Sequence, residues 1–129
     1  MTSLDDYARQ SRYTDPGPYA PLLDDLPTDV RELAAVVRNV VVHYRASGIG
    51  FTADRLAEID LRWLERLFAT DQRRNAAPLA APRAEADRVV GCCRDFTLLT
   101  VAALRHRGIP ARCRVGFAGY FSPDFHTDH

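Results

Sequence analysis

The stretch VVGCCRDFTLLTVAALRHRGIPAR, residues 89–112, decides the fold of this chain. Val89 and Val90 read as extended and Gly91 permits a sharp turn. From Cys93 to Arg107 the sequence is apolar almost all round, through Phe96, Leu98, Leu99, Val101, Ala102, Ala103 and Leu104. A helix with so little polar surface belongs in the middle of a core. Its end is marked by Arg105, His106 and Arg107, then by Gly108, which suits the left-handed capping position. Ile109 can fold back on Leu104, and Pro110 forbids continuation. Beyond the proline the period becomes two: Ala111, Cys113, Val115 and Phe117 point one way, Arg112, Arg114 and Gly116 the other, as in a half-buried strand. Gly119 and Ser122-Pro123-Asp124 predict a turn, which leads to Phe125, His126, Thr127, Asp128 and His129.

A cysteine in the first turn of a buried helix is a specific chemical arrangement, because unpaired backbone N–H groups and the helix dipole favour thiolate over thiol. Cys93 occupies that place. The same N–H groups can stabilise an oxyanion when a thiolate attacks a carbonyl, so activation and transition-state stabilisation share one feature. Asp95 is placed to cap the helix. An imidazole beside the sulfur would complete a thiolate–imidazolium pair, and an acceptor on its other nitrogen would orient it.

Residues 91–117 followed by the Asp128-His129 pair resemble the transglutaminase-like superfamily of papain-like cysteine enzymes. Gly91, Cys93, Asp95 and Phe96 match the family segment that opens the central helix. Arg105, Gly108, Ile109, Pro110, Ala111 and Arg112 match the segment leading into the next strand. The resemblance implies Cys93 as nucleophile and His129 as general base and acid, with His126 as the substitute if the register differs. It also implies an ion pair for Arg112 and a third residue, usually Asp, on a later strand. Asp128 fills that place poorly, because adjacent residues on a strand face opposite ways. No residue follows His129, so the chain reads as cut after its second catalytic residue.

The fold implied is α+β and papain-like: a helical N-terminal part whose nucleophile-bearing helix packs on an incomplete antiparallel sheet. Residues 1–26, with three Pro and the tyrosines Tyr7, Tyr13 and Tyr19, read as an extended arm, and residues 27–129 as the domain proper. From Thr28, Val30, Leu33, Ala34, Val37, Val41 and Tyr44 fall on one helical face. Asp29 and Glu32 lie in its first turn, His43 and Arg45 in its last, and Ser47-Gly48 ends it. A second helix starts after Thr52, with Leu56, Ile59, Trp63, Leu64, Leu67 and Phe68 on one face. Asp60 is a point where it can restart as two pieces. Residues 71–83, with two Pro and several Ala, read as a loop.

The bland readings are assigned in the same way. Cys92 is a buried neighbour of the nucleophile, since its spacing to Gly91 and Asp95 does not fit the family segment. Cys113 packs in the core. His43 and His106 complement helix dipoles. Trp63 belongs to the core stripe. Zinc binding by Cys92, Cys93, Cys113, His126 and His129 is disfavoured, because adjacent cysteines at a helix start converge poorly on one tetrahedral ion. No cofactor or metal is therefore expected.

In the 129 residues, 17 basic side chains balance 17 acidic ones, and every basic one is Arg. The balance argues against nucleic acid and against a polybasic membrane anchor. All-Arg usage points to a GC-rich bacterial genome. The start MTSLDDYARQ has no signal-peptide pattern, and three cysteines close no disulfide framework, so a cytoplasmic protein with reduced thiols is expected.

The leading functional reading is a cysteine hydrolase or acyltransferase, a peptidase or amidase acting on a peptide or protein amide through a thioester. The alternative is a non-catalytic truncated module for binding or assembly, whose open strand edges would favour homo-oligomers.

Overall fold

The computed structural model describes residues 4–112, 117–122 and 125–128. Two 3₁₀ helices, Leu4–Ala8 and Gly17–Leu23, precede α1 (Val30–Val40), β1 (Val41–His43) and α2 (Ala53–Leu56). A 3₁₀ turn (Ala57–Asp60), α3 (Leu64–Asn75) and a further 3₁₀ turn (Glu85–Asp87) lead to β2 (Val89–Gly91) and α4 (Cys93–His106). β3 (Phe117–Ser122) and β4 (Phe125–Asp128) follow. The class is α+β, and the core lies where α1, α3 and α4 meet β1 and β2, built from Leu33, Val37, Leu64, Leu67, Phe68, Val89, Leu99 and Ala102 among others.

α4 forms where its local signals put it. Asp95 accepts a hydrogen bond from the Cys92 N–H at 2.9 Å, closing the N-terminus. At the other end Gly108 has φ 76. The Ile109 N–H reaches the Leu104 carbonyl at 3.0 Å and the Gly108 N–H reaches that of Arg105 at 2.9 Å, the two bonds of a Schellman cap.

The first helix is shorter than its periodicity predicts. Asp29 caps it through a 3.0 Å bond from the Glu32 N–H, but it stops at Val40, and Val41, Val42 and His43 become a strand. Three consecutive valines carry branched β-carbons that restrict side-chain rotation in a helix and pack well on a pleated surface. Their partner is Val89–Gly91, in register Val41↔Val89, Val42↔Val90 and His43↔Gly91. This pair is parallel, which corrects the antiparallel sheet expected beneath α4. Antiparallel pairing occurs between β3 and β4. Ser122 and Phe125 pair at the β3–β4 end, Gly119 lies within β3 rather than in a turn, and His126 lies on β4. Cys113, predicted in a strand, and His129 lie outside the described residues.

The second helix divides into α2, the 3₁₀ turn that ends at Asp60, and α3, which starts at Leu64. Thr52 caps α2, accepting from the Arg55 N–H at 3.4 Å. Arg62 then takes a left-handed φ of 60, and Trp63 starts the next helix from outside it. Trp63 is therefore 37% exposed, not a core residue, and stands edge-on to Tyr13 with ring centroids 6.5 Å apart. α3 runs on to Asn75, well into the predicted loop.

What remains of that loop is wound around Arg83. Its guanidinium makes two bonds to the Asp71 carboxylate, at 2.6 and 2.8 Å, with both side chains fully buried. Further bonds go to the carbonyls of Ala77, Pro78 and Ala81, and Asn39 on α1 holds those of Leu79 and Ala81. A second acid, Glu58, accepts from the Val90 N–H at 2.9 Å and pairs with Arg55 and Arg74. Its hydrogen bond holds the Arg74 pKa above the usual value, against the opposing effect of burial. Together these contacts deliver the chain to β2 in a fixed position.

Residues near the N-terminus pack on α4. Gln10 donates to the Ala102 carbonyl at 2.8 Å, Arg105 donates to the Tyr7 carbonyl at 2.9 Å, and the Ala111 N–H does so at 3.0 Å. No helix among the described residues is long and apolar enough to cross a membrane.

Candidate active site

Parallel pairing brings the carboxyl ends of β1 and β2 to the same edge, where ligands commonly lie in parallel α/β units. His43 ends one strand. Gly91, its partner in the register, ends the other, and the chain turns through Cys92 into α4. Gly91 leaves no room for a side chain: a Cβ there would stand 2.8 Å from Asp95 Oδ2 and 3.0 Å from Val41 Cγ1. Its absence lets the buried Asp95 carboxylate close over the strand and cap the helix that presents Cys93.

Cys93 is the first residue of α4 and is exposed, whereas Cys92 is half-buried at the N-cap. The Cys93 Sγ lies 3.7 Å from Nε2 of His43. Sequence reasoning missed this histidine, having assigned it to the last turn of a helix. The available signal was the Val40-Val41-Val42 run just before it, a strand pattern hidden inside a helical stripe.

The orientation of His43 is fixed on three sides. Nδ1 accepts hydrogen bonds from the N–H groups of Arg45 and Ala46, both at 3.0 Å. The ring stacks on Tyr44, with centroids 5.0 Å apart and planes 19° off parallel, and on Phe96 at 6.3 Å and 16°. With Nδ1 an acceptor, the neutral ring carries its proton on Nε2, the nitrogen that faces the sulfur. The Nε2–H of the neutral ring therefore faces Sγ.

His106, the last residue of α4, contacts Asp24 at 2.7 Å, at the opposite end of that helix from Cys93. Among the described residues, no three His, Cys, Asp or Glu side chains are grouped to hold a metal ion. The side chains of His126 and Asp128 and all of His129 lie outside the described residues.

A family model described as the transglutaminase-like superfamily matches residues 55–127. That span includes Gly91, Cys93, Asp95 and the Gly108-Ile109-Pro110 cap, but not His43. No curated protein and no solved structure matches the chain. A match over more than half of the sequence settles the family: the chain belongs to the transglutaminase-like superfamily.

Proposed function

We propose that this protein is a cysteine hydrolase or acyltransferase, a peptidase or amidase, with Cys93 as its nucleophile. The observation that carries the reading is the 3.7 Å approach of His43 Nε2 to an exposed sulfur at a helix N-terminus. The Cys93 thiolate adds to an amide carbonyl, and the oxygen takes up the negative charge. The C–N bond then breaks, the amine leaves with a proton, and a thioester remains for water or a second amine to release.

Hydrogen-bond donation by His43 and the N-terminal N–H groups of α4 stabilises the thiolate first and the oxyanion next. Because Nδ1 of His43 is already occupied by two N–H donors, the proton of the thiol has to go to a different base. His129 is the residue we assign to that role, as general base toward the thiol and general acid toward the leaving amine.

Iodoacetamide labelling at mildly acidic pH, read by mass spectrometry, tests the nucleophile. Cys93 should react about tenfold faster than N-acetylcysteine amide, and Cys93→Ala should abolish hydrolysis of peptide amides where Cys92→Ala does not. A Cys93 rate no higher than that of the free thiol would overturn the assignment.

A further inference from the structure

A cleft of about 470 Å³ opens along α4, one helical turn from Cys93. Arg94, Leu98, Val101 and Arg105 form its helical wall, and Tyr13 and Arg62 line it from other parts of the chain. We propose that this cleft binds a carboxylate-bearing segment of the acyl donor, so that the protein acts on acidic peptides. This assignment of substrate class rests on Cys93 being the nucleophile.

Charge is the first ground. The whole chain is neutral, yet three arginines line the cleft and no Asp or Glu among the described residues does. Asp95 stands 3.6 Å from Arg94 and offsets part of its charge. Arg105 spends its hydrogen bonds on the carbonyls of Tyr7 and Ala111 and on Thr14, none of which neutralises it. Arg62 makes no hydrogen bond or ion pair among the described residues, and its guanidinium has the fork that suits a carboxylate.

Backbone conformation is the second ground. The Trp63 N–H bonds the Leu61 carbonyl at 2.6 Å, closing a three-residue turn around Arg62. Arg62 sits in that turn with φ 60, a conformation that is rare and strained for a residue with a side chain. Glycine would relieve the strain and would put no charge at the cleft. Position is the third ground. Arg94, the residue after Cys93, and Thr97, one helical turn on from Cys93, both line the cleft, so it begins beside the first turn of α4. The apolar surfaces of Leu98, Val101 and Tyr13 suit the aliphatic part of such a segment.

The probes are acetyl-Ala-Glu-Ala-amide and its neutral partner acetyl-Ala-Gln-Ala-amide, used to protect Cys93 of the full chain from iodoacetamide. The Glu peptide should protect at a concentration about tenfold lower than the Gln peptide, as one carboxylate–guanidinium contact provides. The preference should shrink in high salt and fall to within about twofold in Arg62→Gln. Arg31→Gln, which removes the same charge from the exposed surface of α1, should keep it. Equal protection by both peptides, or a preference that survives in Arg62→Gln, overturns the proposal, and the salt series on the native chain decides it should that variant not fold. Direct binding to Cys93→Ala separates the two readings. A Glu preference there without fast alkylation of Cys93 in the native chain would sink the nucleophile and with it the substrate assignment. Fast alkylation with no Glu preference sinks the cleft alone.

Discussion

His43 Nε2 and Cys93 Sγ are 3.7 Å apart across fifty residues of sequence, because β1 and β2 pair in parallel with His43 opposite Gly91. One strand end supplies the ring and the other leads into the helix that carries the sulfur. The two N–H donors on Nδ1 then determine which ring nitrogen presents a proton to it. A general prediction of this arrangement concerns donation rather than basicity.

Replacing His43 by Ala should slow alkylation of Cys93 about tenfold, the scale of one hydrogen bond to a charged sulfur. His43→Gln, which keeps an N–H donor of similar reach, should recover part of the loss. Equal rates in the native chain and His43→Ala would show that the contact does not act on the thiolate.

Gly91→Ala should destabilise the fold by about 1–3 kcal/mol, as overpacking does in a well-filled site. The new Cβ would meet Asp95 and Val41 at 2.8–3.0 Å, and the buried carboxylate has nowhere to retreat without releasing the cap on α4. Urea unfolding monitored by circular dichroism measures the loss. Alkylation of Cys93 in the folded variant should slow as well, since the cap positions the helix start.

Breaking the Asp71–Arg83 pair from one side should cost about 3–5 kcal/mol, because it strands a buried charge. Arg83→Met and Asp71→Asn are the variants to compare by denaturant titration. The Asp71→Leu/Arg83→Met double variant should be less destabilised than the sum of its single changes. Losses under 1 kcal/mol in both single variants would mean that the loop after α3 does not depend on this pair.

Ala76→Gly should stabilise the protein by about 0.5–1 kcal/mol. Ala76 closes α3 at φ 35, a left-handed conformation that costs a residue with a β-carbon and that glycine adopts freely. Its side chain is exposed, so nothing is lost from the core. A thermal melt with no upward shift would contradict this.

Much of α4 was legible in the sequence, because the signals that start and stop a helix act over a few residues. Asp95 reaches back to Cys92, and Ile109 reaches back to Leu104, whatever the rest of the chain does. The same locality explains the start of the second helix after Thr52, which caps it.

Pairing over long distances was not legible. Val41 and Tyr44 continue the spacing of the first helix, and nothing local says that Val41–His43 will find Val89–Gly91 instead. Trp63 continues the stripe of the second helix, yet the turn at Arg62 throws it outward against Tyr13, a residue far upstream. The sequence by itself determined α4, its caps, the family and Cys93 as the candidate nucleophile. Only the tertiary structure decided that His43 faces the sulfur and that Arg62 lines the cleft. Helix bonds and caps link residues a few positions apart, whereas strand register and the burial of an aromatic ring depend on partners that only the folded chain brings near.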